Sequence, residues 1–154
     1  MKLTVLAVGR LGAAAEAALA QDYAKRATAA GRSLGLGPVE IVEVEARRAG
    51  KAAEGEALLS RLKGGRLIAC DEHGEQMTSR VFAGLISKAR DDGVRALSLA
   101  IGGADGLDQA VLSATFQTVA FGPQTWPHAL ARLMLAEQIY RAVTILAGSP
   151  YHRD

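Results

Sequence analysis

The sequence predicts an α/β protein built as a mostly parallel β-sheet with helices on both faces. Five strand-like segments alternate with five helix-like segments along the 154 residues, the pattern of consecutive βα units. One strand segment, residues 96–101, is apolar except for Ser98, as expected of a strand that is buried on both faces. The chain contains no repeat, no low-complexity segment and no linker. We therefore expect a single domain over residues 1–154.

The predicted strands differ in the arrangement of their apolar residues. Residues 3–8 form an apolar run that ends at Gly9, whereas residues 39–45 alternate apolar and acidic side chains. Such alternation is typical of a half-exposed strand at the edge of a sheet. The remaining strands are predicted at residues 66–71, 96–101 and 115–121.

Helix patterns fill the intervals between these strands. The first helix is an Ala- and Glu-rich run that ends at Gly31, and Thr78 or Ser79 is suited to cap the third helix. Residues 72–75, which read Glu-His-Gly-Glu, predict a turn. The helices are predicted at residues 13–30, 53–63, about 79–91, 107–113 and 128–147.

The composition indicates a globular protein without a membrane span. Hydrophobic residues make up 49% and charged residues 22% of the chain, and no apolar run approaches the ~18 residues that cross a bilayer. The apolar start of the chain is too short for a secretory signal, so we expect a cytoplasmic protein. The formal net charge of +2 does not indicate a nucleic-acid-binding protein, although a local basic patch is sufficient for phosphate contacts.

Several classes of site are disfavoured. The single cysteine, Cys70, excludes an internal disulfide, and the three histidines are too scattered to predict a metal site. The chain has neither a P-loop nor a nucleophile elbow, which argues against NTPases and serine hydrolases. The first turn, Gly9-Arg10-Leu11-Gly12, matches only part of a dinucleotide-binding fingerprint, so a nucleotide-binding oxidoreductase is a weak alternative.

Three loops follow predicted strands at the carboxyl edge of the sheet, where α/β proteins bind ligands. They begin at Cys70, at Ile101 and at Phe121. Gly102 and Gly103 in the second loop would let a ligand approach the backbone closely; alternatively they only make a tight turn. In the third loop, Trp126 offers a flat face for an adenine or a base, and the alternative is an anchor in the core.

The C-terminal third of the chain combines an apolar helix with a polar tail. Residues 128–147 are apolar around most of the helix, which predicts burial against a second chain in a two-fold dimer. Glu137 and Arg141 have the spacing of an ion pair within one helix. The tail, residues 150–153, reads Pro-Tyr-His-Arg, a composition suited to phosphate and base contacts, or else it is a frayed basic terminus.

These residues carry a resemblance to a known family. The chain resembles the knotted SPOUT-class methyltransferases that modify N3 of a pseudouridine in large-subunit ribosomal RNA. The matching segments are Met1-Lys2-Leu3 with Ala7-Val8-Gly9, Ile101-Gly102-Gly103 with Gly106-Leu107, Thr125 with Pro127-His128, Ala131-Arg132, Glu137-Gln138 with Tyr140-Arg141-Ala142, and Pro150-Tyr151-His152-Arg153.

The resemblance implies a SPOUT α/β-knot fold, a trefoil-knotted exception to the usual topology rules. It also implies a homodimer through the C-terminal helix, with S-adenosylmethionine as the cofactor. The implied partner is 23S rRNA within the assembled ribosome, modified at the pseudouridine at position 1915 in helix 69. The implied cofactor contacts are Cys70, Gly102, Phe121, Gly122, Pro123, Gln124, Thr125 and Trp126.

The mechanism expected from this resemblance needs alignment of the methyl donor and loss of the N3 proton. Candidates for the general base are Glu137, His128 and His152, the last from either chain of the dimer. Side chains expected to stabilise or bind the RNA are Arg132, Arg141, Arg153, Tyr140, Tyr151 and, besides its candidate role as base, His152. Alternatives are a SPOUT enzyme acting on another rRNA or tRNA site, and a non-catalytic ribosome-binding relative.

Overall fold

All five predicted strands join one parallel β-sheet. The computed structural model describes residues 1–62 and 64–153. The strands are β1 (Lys2–Val8), β2 (Val39–Val44), β3 (Arg66–Gln76), β4 (Ala96–Ile101) and β5 (Gln117–Ala120). Their order across the sheet is β2-β1-β4-β3-β5, and every paired neighbour is parallel. The predicted fold class is confirmed, and the acidic alternating strand β2 lies at an edge as expected.

Within the described residues, four α-helices connect the strands and a fifth follows β5, in the order that the sequence predicts. They are α1 (Ala15–Gly31), α2 (Lys51–Ser60), α3 (Ser79–Asp91), α4 (Gln109–Ser113) and α5 (His128–Leu146), with one 3₁₀ turn at Arg32–Leu34. The Thr78 hydroxyl accepts a hydrogen bond from the Val81 N–H at 3.3 Å, which caps α3. The predicted end of the second helix at Lys63 lies outside the described residues.

The helices cover both faces of the sheet because successive side chains of each strand point to opposite sides. On β1, Leu3 and Val5 pack in a core with α1, α3 and α5, whereas Leu6 and Val8 pack on the opposite face with α2 and α4. Helix α5 contacts α1 and α3 most extensively. Among the described helices, none has the length and apolar character needed to cross a bilayer.

The turn predicted at residues 72–75 is wrong, because β3 continues to Gln76. Val119 of β5 pairs with Cys70 and again with Glu75, so the intervening residues bulge out of the sheet before pairing resumes. Gly74 allows this close packing: a Cβ there would lie 2.6 Å from the Val119 carbonyl carbon. The bulge carries Asp71 and Glu72 to the carboxyl edge of the sheet, beside the ends of β4 and β5.

Candidate functional site

Three loops meet in a cavity of about 260 Å³ at the carboxyl ends of β3, β4 and β5. This volume is close to the lower limit of roughly 300 Å³ for small-molecule sites, so the cavity suits a compact or bent ligand. The predicted residues that line it are Cys70, Gly102, Phe121, Gly122, Gln124, Thr125, Trp126 and His128. Pro123 belongs to the same loop but is not among the lining residues.

The Gly102–Gly103 turn makes the floor of this cavity from backbone. A Cβ on Gly102 would lie 2.4 Å from the Gly106 carbonyl oxygen, and the Gly106 N–H donates to the Gly103 carbonyl at 3.1 Å. The glycines therefore do make a tight turn, one of the two expected roles. Since the same turn lines the cavity, it also brings main-chain groups within reach of a ligand.

Trp126 closes the third loop and keeps its ring accessible. Its indole N–H donates to the Phe121 carbonyl at 3.3 Å, and 40% of the residue is exposed. The alternative of a buried core anchor is wrong. A loop fixed by an indole hydrogen bond presents a flat ring at the cavity wall.

Carboxylates dominate the charge of the cavity. Asp71, Glu72 and Asp105 line it, and among the lining residues His128 is the one group able to carry positive charge. Burial, together with the Asp71 charge, raises the pKa of the Cys70 thiol to about 12, so Cys70 is a neutral apolar wall. Sequence reasoning missed the three acids, although their positions in the predicted ligand loops could have indicated them.

Arg132 faces away from this cavity into the protein. Its guanidinium donates to Glu43 at 2.7 Å, to the Gly9 carbonyl at 2.9 Å and to the Val8 carbonyl at 3.2 Å, and the residue is 2% exposed. Glu43 also accepts from the Leu11 N–H at 3.0 Å. Arg132 thus ties α5 to the ends of β1 and β2, whereas His128, one turn earlier, lines the cavity.

A second cluster surrounds Glu137, farther along α5. The Glu137 Oε1 atom accepts from Arg141 Nη2 at 2.6 Å, from Arg141 Nε at 3.0 Å and from the Tyr151 hydroxyl at 3.0 Å. The Oε2 atom accepts from the Gln138 amide at 2.8 Å. The predicted ion pair within the helix is present, and the same carboxylate also anchors the C-terminal tail.

The tail is folded against α5 as far as His152. The Tyr151 ring meets the Tyr140 ring edge-on at 4.7 Å, and Arg141 Nη1 lies 3.4 Å from His152 Nδ1. Burial raises the pKa of Tyr151, and hydrogen bonding to Tyr23 and Glu137 adds to the shift. The alternative of a frayed terminus is therefore wrong for these two residues, whereas Arg153 is exposed.

A largely apolar groove of about 630 Å³ connects the two regions. It shares Phe121 and Gly122 with the cavity and reaches Tyr23 and Glu137 at its other end. Leu133 and Met134 of α5 line it. This is the face of the helix for which the sequence predicts a second chain as cover.

No metal centre accompanies these regions within residues 1–62 and 64–153. In that part of the chain, no three His, Cys, Asp or Glu side chains are grouped so that they could hold a metal ion.

Comparison with known proteins gives full-length matches. The family model described as "Predicted SPOUT methyltransferase" matches residues 1–152. The protein named Ribosomal RNA large subunit methyltransferase H from Caulobacter sp. (strain K31) is 67% identical over 154 residues, which cover 100% of both chains. Its namesake from Caulobacter vibrioides (strain ATCC 19089 / CIP 103742 / CB 15) is 64% identical, covering 100% of this chain and 99% of that protein.

The fold also has counterparts among solved structures. The crystal structure of a probable methyltransferase from Bordetella pertussis Tohama I matches with a TM-score of 0.54 and 18% sequence identity. The match covers 92% of this chain and 96% of that chain. At this identity the likeness is one of fold.

Proposed function

We propose that this chain, which belongs to the SPOUT methyltransferase family, transfers a methyl group from S-adenosylmethionine to large-subunit ribosomal RNA. The observation that carries the proposal is full-length identity of 60% or more to three proteins named for that activity. The cavity formed by the three loops supports it, because it lies where α/β proteins bind their ligands.

The residues of the cavity fit S-adenosylmethionine. Its backbone turn at Gly102 and Gly103 offers hydrogen-bonding groups to an adenosine, and Trp126 offers a face for stacking. The carboxylates of Asp71 and Asp105 suit a ligand that carries an ammonium and a sulfonium group. When bound, the cofactor supplies a methyl group already activated for transfer, so the protein mainly has to align the acceptor.

The finer proposal is that the acceptor is N3 of a pseudouridine, at position 1915 in helix 69 of 23S rRNA within the assembled ribosome. The family resemblance supports this target. The net charge of +2 supports an assembled particle as substrate rather than naked RNA, whose binding relies on many phosphate contacts. The base has to be unstacked before it reaches the cavity.

The structure supports different roles for the predicted catalytic residues. His128 is the candidate base that lines the cavity, so we assign proton removal to His128 or to a His152 brought there by a second chain. Glu137 accepts four hydrogen bonds and is better suited to hold Arg141 and Tyr151 in place than to accept a proton. Arg132 is buried and positions α5 rather than the RNA.

The spacing of these residues along α5 supports a homodimer. Arg141 lies thirteen positions after His128, which is about 20 Å at the helical rise of ~1.5 Å per residue. The tail of one chain is thus distant from its own cavity. Two copies packed antiparallel through α5 and the apolar groove would place the Arg141, Tyr151 and His152 cluster of each chain toward the cavity of the other.

The proposal is tested with S-adenosylmethionine carrying a labelled methyl group and ribosomes from a strain that lacks the gene. We expect labelling of one pseudouridine in 23S rRNA, located by mass spectrometry, and much slower labelling of free rRNA. Label at another site, or equal rates on both substrates, would contradict the finer proposal. No transfer combined with no cofactor binding in calorimetry would contradict the coarser one.

Side-chain roles are tested in the same assay. We expect His128→Ala and His152→Ala to lower the transfer rate by about 10²-fold, the lower range for a general base. Lys25→Ala is the control, because Lys25 is exposed on α1 and is not among the lining residues. Full activity of both Glu137→Gln and His152→Ala would refute the involvement of the tail cluster. A homodimer of the wild type is expected by light scattering, and the protein is expected in the cytoplasm with its ribosomes.

A further inference from the structure

A guanidinium on α1 lies over the aromatic rings that hold the C-terminal tail. The Cζ atom of Arg26 is 4.3 Å from the centroid of the Tyr140 ring, 5.2 Å from that of Tyr23 and 5.9 Å from that of Tyr151. All three distances fall within the ~6 Å range of cation–π contacts. Sequence patterns did not indicate this residue.

The contacts of Arg26 continue directly into the tail. Tyr140 packs on Tyr23 at 5.8 Å on one side and on Tyr151 at 4.7 Å on the other. Tyr151 is further fixed by its hydrogen bond to Glu137 and by Arg141, whose Cζ lies 4.9 Å from the ring centroid. Tyr151 is therefore held between two cations and one carboxylate. Of these three groups, Arg26 belongs to α1, whereas Arg141 and Glu137 belong to α5.

Other contacts of Arg26 do not account for its position. Its ion pair with Asp22 is 3.6 Å long and joins side chains that are 42% and 59% exposed, an arrangement that contributes little. Hydrogen bonding to Tyr140 is the largest cause that raises the pKa of Arg26, and the charge of Asp22 adds to it.

We propose that Arg26 is a positioning residue, which orients Tyr140 and, through it, the tail segment Tyr151–Arg153. Arg26 acts by covering the exposed side of the packed tyrosines, and the ordered Tyr151 then directs His152 and Arg153. The role in catalysis rests on the proposed function, because it assumes that the tail meets the RNA. The ordering of the tail itself does not depend on that assumption.

The first experiment measures amide hydrogen exchange of residues 148–153 in the full-length protein without RNA. We expect Arg26→Gln to raise the exchange rate of this segment by about tenfold, and Arg26→Lys, which keeps the charge without the planar group, to give an intermediate value. Lys25→Gln is the matched control, because Lys25 is the exposed neighbour on α1, and its tail exchange should equal that of the wild type. Unchanged exchange in Arg26→Gln overturns the proposal.

The second experiment measures steady-state methyl transfer to ribosomes. Misplacement of groups around a reacting centre lowers the rate constant, so we expect kcat of Arg26→Gln to fall by about tenfold, with the Kd for S-adenosylmethionine unchanged. An increase in the KM for ribosomes at constant kcat, with normal tail exchange, would show that Arg26 contacts RNA directly and would overturn the proposal. If the wild type transfers no methyl group but Arg26→Gln still loosens the tail, the proposed function fails and the positioning role of Arg26 stands.

Discussion

Replacing Arg132 with methionine tests whether this arginine is a structural tie or a group that contacts the substrate. The three hydrogen bonds from Arg132 end on Glu43 and on the carbonyls of Val8 and Gly9, which joins α5 to the carboxyl ends of β1 and β2. Methionine keeps much of the buried aliphatic stem and removes the charge and all three bonds. The substitution therefore isolates the contribution of the guanidinium.

The expected loss in free energy of unfolding depends on how deeply Arg132 and Glu43 are buried. Removing one member of a fully buried, hydrogen-bonded ion pair costs about 3–5 kcal/mol. Arg132 is 2% exposed but the Glu43 side chain is 36% exposed, so water can solvate the carboxylate in the variant and the loss lies near the lower limit, at about 3 kcal/mol. For a chain of this size that corresponds to a decrease in Tm of roughly 6–12 °C.

The loss in free energy of unfolding is measured by urea unfolding of four proteins: the wild type, Arg132→Met, Glu43→Gln and the double variant. We expect a coupling energy of about 1–2 kcal/mol between the two positions, because they share a direct bond. Arg10→Met is the matched control. The Arg10 side chain is 70% exposed and pairs with Glu45 at 2.7 Å, so its replacement should cost less than about 1 kcal/mol.

One result would refute this reasoning. Suppose that the free energies of unfolding of Arg132→Met and Arg10→Met differ by less than about 1 kcal/mol while Arg132→Met has lost methyl transfer. The guanidinium then acts on the substrate, as the sequence alone suggested. A double variant whose loss equals the sum of the two single losses would refute the ion pair as the source of the stability.

Three further predictions concern the cavity and the tail. Gly102→Ala should weaken S-adenosylmethionine binding at least about tenfold in calorimetry, because its Cβ would lie 2.4 Å from the Gly106 carbonyl. The control is Gly84→Ala, whose Cβ would lie in open space on α3 and which should bind the cofactor normally. Equal binding by both variants would contradict the expectation. Because the pKa of the Cys70 thiol is raised to about 12, very little of it is thiolate at pH 8; an aromatic disulfide should therefore label Cys70 far more slowly than it labels the thiol of glutathione, and similar rates would contradict the raised pKa. The pKa of Tyr151 is raised on folding, so its contribution to stability is complete below the unfolded value of about 10 and is lost as pH rises above it. Raising the pH from about 9 to about 11 should therefore lower the free energy of unfolding, measured with urea, more for the wild type than for Tyr151→Phe. Parallel pH dependences of the two proteins would contradict this.

Much of the cavity could be located from sequence, because its determinants are local. Parallel strands place their carboxyl ends at one edge, so the loops after residues 70, 101 and 121 had to converge there. The bulge at residues 71–74 was missed, since it depends on Val119 pairing twice with β3, a contact between distant parts of the chain. Asp71 and Glu72 lie in a loop that the sequence assigned to ligand binding, but they were not singled out there as site residues.

The role of each polar residue on α5 could not be predicted in the same way. His128 and Arg132 are one turn apart, yet one lines the cavity and the other is buried against β1 and β2. Helical spacing places both residues on the same side of α5, but the direction of a long side chain depends on which partners the neighbouring strands present. Glu43, 89 residues away in the chain, supplies that partner for Arg132.

In the C-terminal third, some features are determined by the local sequence and others only by the tertiary structure. By itself, the sequence determined a long apolar helix beginning at His128, a spacing of four residues between Glu137 and Arg141, and a tail rich in hydrogen-bonding groups, because periodicity and side-chain chemistry act over a few residues. Only the tertiary structure decided that Glu137 anchors Tyr151 and that Arg26 covers Tyr140. Those contacts join α1, α5 and the tail, and such groups meet only after the sheet has brought the helices together.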